Sequence, residues 1–369
     1  MRSTRVRLTM LIALIVLAVP VAVRAQKPSA QPKQPENPYP YLADEPKAKE
    51  FSLSKTAKYL DGVARFWMQT NSCGACHVNF AYLMARPLLE RRPITLVAQT
   101  RRFMEQPKAN PAPGRFSSGA ESVAIAFSLA WDDARSSDKL QPTTRQALDR
   151  LWQIRRPNGT WSRLGCGNSI PAENDPHYTA ILAALAVSIA PEEYARSAQG
   201  RDGLDRLRDY FGKSPPRDLH EQAMRLWASQ YVDGLMSASE RAATIKSLLA
   251  AQQSDGGWSH VASPSVKAPS EGYGTALFLY VLRQAGVPAD RPEIARGVGW
   301  LRSNQRVSGR WFTPSAVAGD PTEGGVGARD LYVQNLGTAF AVLALRACED
   351  SQSGIWSGSR SKARVSPKE

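Results

Sequence analysis

Three times the chain repeats one phrase: Gln, two to five residues, Gly, one residue, Trp. It reads Gln153-IRRPN-Gly159-Thr-Trp161, Gln253-SD-Gly256-Gly-Trp258 and Gln305-RVS-Gly309-Arg-Trp311. An amphipathic stretch with apolar residues three and four apart precedes each phrase: TRQALDRLWQI, AATIKSLLAAQ and IARGVGWLRSNQ. A more apolar stretch follows each one after a loop. These second stretches open alike, with Tyr178-Thr179-Ala180, Gly274-Thr275-Ala276 and Gly337-Thr338-Ala339.

An amphipathic helix and an apolar helix joined in this way cannot cover their faces alone, but they can against copies of themselves. In the connecting loop, Gly lets the backbone turn at the end of the first helix and Trp fills the gap between pairs. Relaxing the phrase predicts outer helices near 54–69, 93–106, 141–154, 200–212, 239–253 and 291–305. Inner helices are expected near 78–90, 117–131, 176–189, 218–236, 271–285 and 330–347. Six such pairs close a ring, so the expected fold is all-α, a single (α/α)6 toroid over residues 52–349. A composition 43% hydrophobic and 22% charged is enough for one large core.

The flanks read differently. Residues 1–25 carry Arg2, Arg5 and Arg7, then an apolar run from Leu8 to Val23, then Val23-Arg24-Ala25 with small residues suited to a signal peptidase. The expectation is a signal peptide cleaved after Ala25 and a protein exported to the periplasm or beyond. An uncleaved membrane anchor is the alternative, weakened by the short run and by Pro20. Residues 26–51 form a Pro-rich linker or loose strap, and 350–369 a basic tail without core residues. The formal charge of +14 lies largely in dispersed Arg and in that tail. It points to peripheral contact with an anionic membrane surface, and no nucleic-acid motif accompanies it.

The outer-to-inner loops of such a ring emerge at one end, where inner helices point their positive dipole ends at the mouth. That end should hold all four histidines, His77, His177, His220 and His260, with Cys73, Cys76, Cys166, Glu121, Glu173, Asp175, Tyr178, Glu221, Glu271 and Tyr273. The sharpest motif there is Cys73-Gly74-Ala75-Cys76-His77, which has the spacing of covalent c-type haem attachment: two thioether-forming thiols and an imidazole for the iron. On that reading His77 is the proximal ligand, and His177 or His260 could supply a further one. The same residues could instead form a Cys73–Cys76 disulfide. They could also bind a metal such as zinc, with a fourth ligand from Cys166, His177 or His260. Glu173, Asp175 and His177 offer two acids and an imidazole at a helix N-terminus, a set suited to acid–base catalysis. Asp175 followed by Pro176 reads equally as an N-cap with proline at the first helical position.

The Gln-Gly-Trp phrase resembles the QW motif of squalene–hopene and oxidosqualene cyclases. Six helix pairs are similar to the single toroid of protein prenyltransferase β-subunits and of complement-type thioester domains. The run Cys76-His77-VNFAYLM-Ala85-Arg86-Pro87, with Glu173-Asn174-Asp175-Pro176-His177-Tyr178, resembles a group of exported bacterial squalene-cyclase-like proteins that carry a CxxCH. The resemblance implies the toroid and a cyclase-like cavity, but the family chemistries do not transfer. No Asp-x-Asp-Asp is present for alkene protonation and no Asp-x-Cys for zinc. Gly165-Cys166-Gly167-Asn168-Ser169 lacks the Gln that a thioester needs.

Three functions follow as expectations. The first is an exported, haem-bearing toroid acting in redox chemistry beside an apolar, isoprenoid-like ligand and a redox partner. The second is a non-haem isoprenoid cyclase or transferase using Glu173, Asp175 and His177. The third is a non-catalytic binding module, which would have a filled central cavity and a plain Cys73–Cys76 disulfide.

Overall fold

The fold is taken from a computed structural model. It describes residues 38–40, 42–70, 78–90, 93–105, 118–157, 159–161, 176–261, 268–314 and 328–349. The motif residues Cys73, Cys76 and His77, together with Cys166, Glu173 and Asp175, lie outside these, as do residues 1–25 and 350–369.

Among the described residues the regular structure is helical. Outer helices α1 (Leu53–Thr70), α3 (Ile94–Glu105), α5 (Pro142–Gln153), α7 (Ala198–Lys213), α9 (Ala238–Ala250) and α11 (Pro292–Asn304) alternate with inner ones. The inner helices are α2 (Asn79–Ala85), α4 (Ser118–Ser136), α6 (Pro176–Ile189), α8 (Leu219–Ala228), α10 (Gly272–Gln284) and α12 (Ala328–Glu349). Each inner helix packs on the next, and α12 packs on α2, so the inner set closes a circle while each outer helix lies against its inner neighbours. The chain is an α/α toroid.

Inner helices run parallel. Phe80 meets Phe127 at a ring separation of 5.5 Å, and one turn later the Trp131 indole donates to the Met84 carbonyl. His220 meets Tyr273, and two turns on Trp227 meets Tyr280. At the far end Arg283 donates to the Ala347 carbonyl and Arg346 to that of Leu88, so the C-termini of α10, α12 and α2 also share one end.

The repeated phrase explains its own recurrence. In all three copies the Trp indole N–H donates to the leucine carbonyl ten residues earlier, in the last turn of the outer helix: Leu151, Leu248 and Leu301, at 2.7–2.9 Å. The glycines adopt φ of +85°, +88° and +95°, a region costly for residues with a Cβ. Gln305 closes the ring: its side-chain N–H donates to the Thr56 hydroxyl at 2.8 Å, and its carbonyl accepts from the Ser52 N–H. The strap is fastened from Pro38 onward. Glu45 takes Arg310 in a buried ion pair at 2.7 Å, and Arg310 also donates to the Pro40 carbonyl.

Two inner helices are shorter than periodicity alone predicts. α2 stops at Ala85 and gives way to a 3₁₀ turn over Arg86–Leu88, because Pro87 has no N–H to offer and its ring crowds the preceding turn. α8 stops at Ala228, where Ser229 and Gln230 side chains take the Leu226 carbonyl.

The hollow that a ring of helices encloses is stoppered at mid-height. α4 and α8 are not neighbours in the circle, yet the Trp227 ring lies 5.9 Å from Phe127 and 6.0 Å from Trp131. Phe340 of α12 joins from the other side at 5.8 Å. Edge-to-face rings at this spacing occupy the lumen there, so of the two alternatives for the centre, an apolar chamber or a filled one, the described residues are packed as the filled one.

Candidate functional site

The mouth is built at the N-termini of α6, α8 and α10. α10 begins at Gly272 because Glu271 folds its carboxylate back over the first turn. One oxygen accepts from the Gly274 N–H at 2.6 Å and the other from the Tyr273 N–H at 2.7 Å. The first oxygen also accepts from His260, from the backbone N–H at 3.2 Å and from Nδ1–H at 2.8 Å. Gly274 permits this approach, since a Cβ there would stand 2.3 Å from the carboxylate oxygen and 2.4 Å from the His260 nitrogen.

A carboxylate only accepts, so His260 Nδ1 carries a proton toward Glu271. His260 Nε2 is buried and has no hydrogen-bond partner among the described residues. Beside it, His220 Nε2 and the Tyr273 hydroxyl are hydrogen-bonded at 2.8 Å. His220 Nδ1 is likewise buried without a partner. The His220 and His260 rings lie 6.3 Å apart, and the Tyr273 ring stands edge-on to that of His260 at 5.3 Å. Tyr178 covers His220 from α6 at 6.1 Å.

Burial governs the charge here. Desolvation, with His260 and His177 nearby, lowers His220 to about 3. Desolvation, reinforced by Arg225, lowers His177 to about 4. Both are neutral imidazoles at ordinary pH, the form that can ligate a metal or accept a proton.

The expected rim residues therefore separate. His177, His220 and His260 come to the same end, with Tyr178, Glu271 and Tyr273. Within that group His177 faces the outer layer, with the Phe211 ring of α7 5.0 Å away. Glu221 does not face the mouth; Arg217 holds it in an ion pair at 2.6 Å with the guanidinium exposed. Cys348 lies near the opposite end of α12, and burial pushes its pKa up to about 11. The pairing of His260 with Glu271 is not evident from sequence, since eleven residues separate them in a loop with no regular spacing. Pro176 does take the first helical position of α6. Among the described residues no three His, Cys, Asp or Glu side chains are grouped to hold a metal ion. As surroundings for a haem, the described rim fits in one respect: it sets the aromatic rings of Tyr178 and Tyr273 beside the neutral imidazole of His220.

No family model and no curated protein matches the chain. Solved structures similar to it include ent-copalyl diphosphate synthase from Streptomyces platensis, at 18% identity and a TM-score of 0.43. That match covers 80% of this chain and 50% of the synthase, so the chain spans about half the synthase's length. A possible member of the GH105 family from Klebsiella pneumoniae subsp. pneumoniae MGH 78578 is similar at 13% identity and a TM-score of 0.49, over 82% of this chain and 94% of that one.

Proposed function

We propose that the mature protein is an exported toroid carrying a c-type haem on Cys73 and Cys76, with His77 as axial imidazole, and that it serves redox or electron-transfer chemistry at the mouth of the ring. The observation that carries this reading is the position of Val78. It directly follows the CxxCH motif and precedes α2, whose N-terminus points to the same end as the gathered histidines. When bound, a haem supplies one-electron exchange. The chain's own residues supply a dry collar: Tyr178, Tyr273 and neutral His220 exclude water, and the Trp227 stack keeps a ligand from passing deeper. An apolar partner molecule would then be met at the mouth.

The stoppered lumen favours a second reading, the binding module with a plain Cys73–Cys76 disulfide, over a polyprenyl cyclase working through Glu173, Asp175 and His177. One preparation separates the two. The full chain is expressed with haem-attachment machinery, and its absorption spectrum and intact mass are recorded beside those of a Cys73→Ala/Cys76→Ala variant. A Soret band and the mass of one covalent haem, both lost in the variant, are expected. A colourless protein two hydrogens lighter than the dithiol would replace the haem reading with the disulfide one. The same mass reports whether the chain begins at Gln26.

A further inference from the structure

Tyr273 lies in the first turn of α10 with its hydroxyl 2.8 Å from His220 Nε2, and both residues are sealed from solvent, at 0% and 1% exposure. A phenol is a better hydrogen donor than a neutral imidazole, and an imidazole nitrogen a better acceptor than a phenol, so Tyr273 donates and the Nε2 lone pair receives. Burial keeps His220 neutral, which leaves that nitrogen able to take a proton outright. A stack of rings adjoins the pair. Tyr273 lies 5.6 Å from Phe340, Phe340 5.8 Å from Trp227, and Trp227 5.9 Å from Phe127 and 6.0 Å from Trp131. Phe80 continues the stack 5.5 Å from Phe127, and it stands three residues after His77 in the sequence. An electron needs no channel to cross rings in contact, so a sealed tyrosine can be oxidised where no ligand has room.

A ring that gives up an electron needs somewhere to put its proton, because a cation in a dry core is costly. The Trp227 indole N–H meets no partner among the described residues, and that of Trp131 meets the Met84 carbonyl, a poor base. Phe127 and Phe340 have no acidic hydrogen. Tyr273 has His220. We propose that Tyr273 is a redox-active tyrosine, oxidised by one electron to its neutral radical as the phenolic proton passes to His220 Nε2. The O–H bond breaks and the Nε2–H bond forms, while the electron leaves through the rings to a one-electron metal-complex oxidant of high potential. Re-reduction returns the electron and the proton to the phenol. The imidazolium so formed has the His260 ring 6.3 Å away, and the Glu271 carboxylate that holds His260 at 2.8 Å also accepts the Tyr273 backbone N–H at 2.7 Å. A negative charge therefore stands close to where the positive one appears. This deepens the redox reading of the mouth, on which it depends for its natural oxidant, by naming the residue where an oxidising equivalent is held.

The test supplies the oxidant from outside. Flash photolysis of tris(bipyridine)ruthenium with persulfate oxidises the full chain, and samples frozen after a delay are read by high-field EPR; the delay lets exposed tyrosyl radicals decay by coupling with one another. A tyrosyl radical that outlasts the delay is expected. It should couple to one proton that is replaced after equilibration in deuterium oxide and, with 15N-histidine labelling, to a histidine nitrogen. Both couplings are read in the unmodified chain, so they hold even if a variant folds poorly. Tyr273→Phe should abolish the lasting signal, and His220→Phe should remove the exchangeable coupling together with most of the radical. A tryptophan radical, a tyrosyl radical that persists in Tyr273→Phe, one without the exchangeable proton, or no lasting radical at all would overturn the assignment. The result is separable from the haem: the radical without a Soret band would remove the haem alone, and a Soret band without the radical would remove the tyrosine alone.

Discussion

The Thr275 hydroxyl oxygen accepts the backbone N–H of Trp258 at 2.9 Å and donates to the carbonyl of the same residue at 3.1 Å. Thr338 makes the first of these contacts with Trp311 at 3.3 Å. In these two repeats the Thr-Ala opening of the inner helix and the Trp that ends the loop are therefore two halves of one clasp. Thr275→Val keeps the shape and leaves the Trp258 backbone N–H without a partner in a buried place, while the carbonyl keeps only the Glu271 N–H. It should lower unfolding free energy by about 1–3 kcal/mol. Urea titration would measure it, and a change within error would mean the clasp is dispensable.

The strap should act as a thermodynamic part of the ring. Glu45→Ala leaves the Arg310 guanidinium, 2% exposed, without its carboxylate. A loss of about 3–5 kcal/mol is expected for a broken buried pair. Glu45→Ala combined with Arg310→Met should lose less than Glu45→Ala alone, because no charge is then stranded. Thermal denaturation of the single and double variants would show the order.

Acid should weaken the mouth before it touches the rest. An unfolded chain protonates its imidazoles near pH 6.5, whereas folded His177 and His220 hold off to about 4 and about 3. Between pH 6.5 and those values the unfolded state binds protons that the folded state refuses. Stability should fall there by on the order of 1 kcal/mol per pH unit per imidazole. Above pH 6.5 neither contributes a slope. His220→Phe should flatten the profile of urea midpoints, and an unchanged profile would refute the assignment.

Trp227 is the stopper, fully buried at the centre of the ring, and its indole N–H has no hydrogen-bond partner among the described residues. Trp227→Ala should cost about 3–5 kcal/mol and open an apolar hollow. Added indole should then raise the melting temperature of the variant and leave that of the unmodified chain unaltered. No rescue by indole would mean that neighbouring rings collapse into the space.

The helices were legible because a 3.6-residue apolar period is a local property; α6 over Pro176–Ile189 coincides with expectation, and the outer helices differ by a few residues. The inner-helix ends that fell short, at Ala85 and Ala228, were decided by Pro87 and by serine and glutamine side chains competing for carbonyls, while α4 runs past its expected end to Ser136. Gathering histidines at one mouth was legible from the topology of a closed ring, and His177, His220 and His260 follow it. What was hidden was which way each side chain turns. Glu221 lies one residue from His220, and the helix turns it outward to Arg217; Glu271, eleven residues from His260, returns to meet it. Lumen filling was hidden too, because Phe127, Trp227 and Phe340 meet only across a space that no sequence interval measures.

Gln305 and Thr56 tie the last helical pair to the first across 249 residues. An open array of repeats can fray from either terminus and can gain or lose a unit with little penalty. A ring fastened at its own seam has neither freedom. Deleting one pair would leave every remaining junction intact and still break the circle, so the number of pairs is held by geometry, and hydrogen-exchange protection should fade around the whole circumference together.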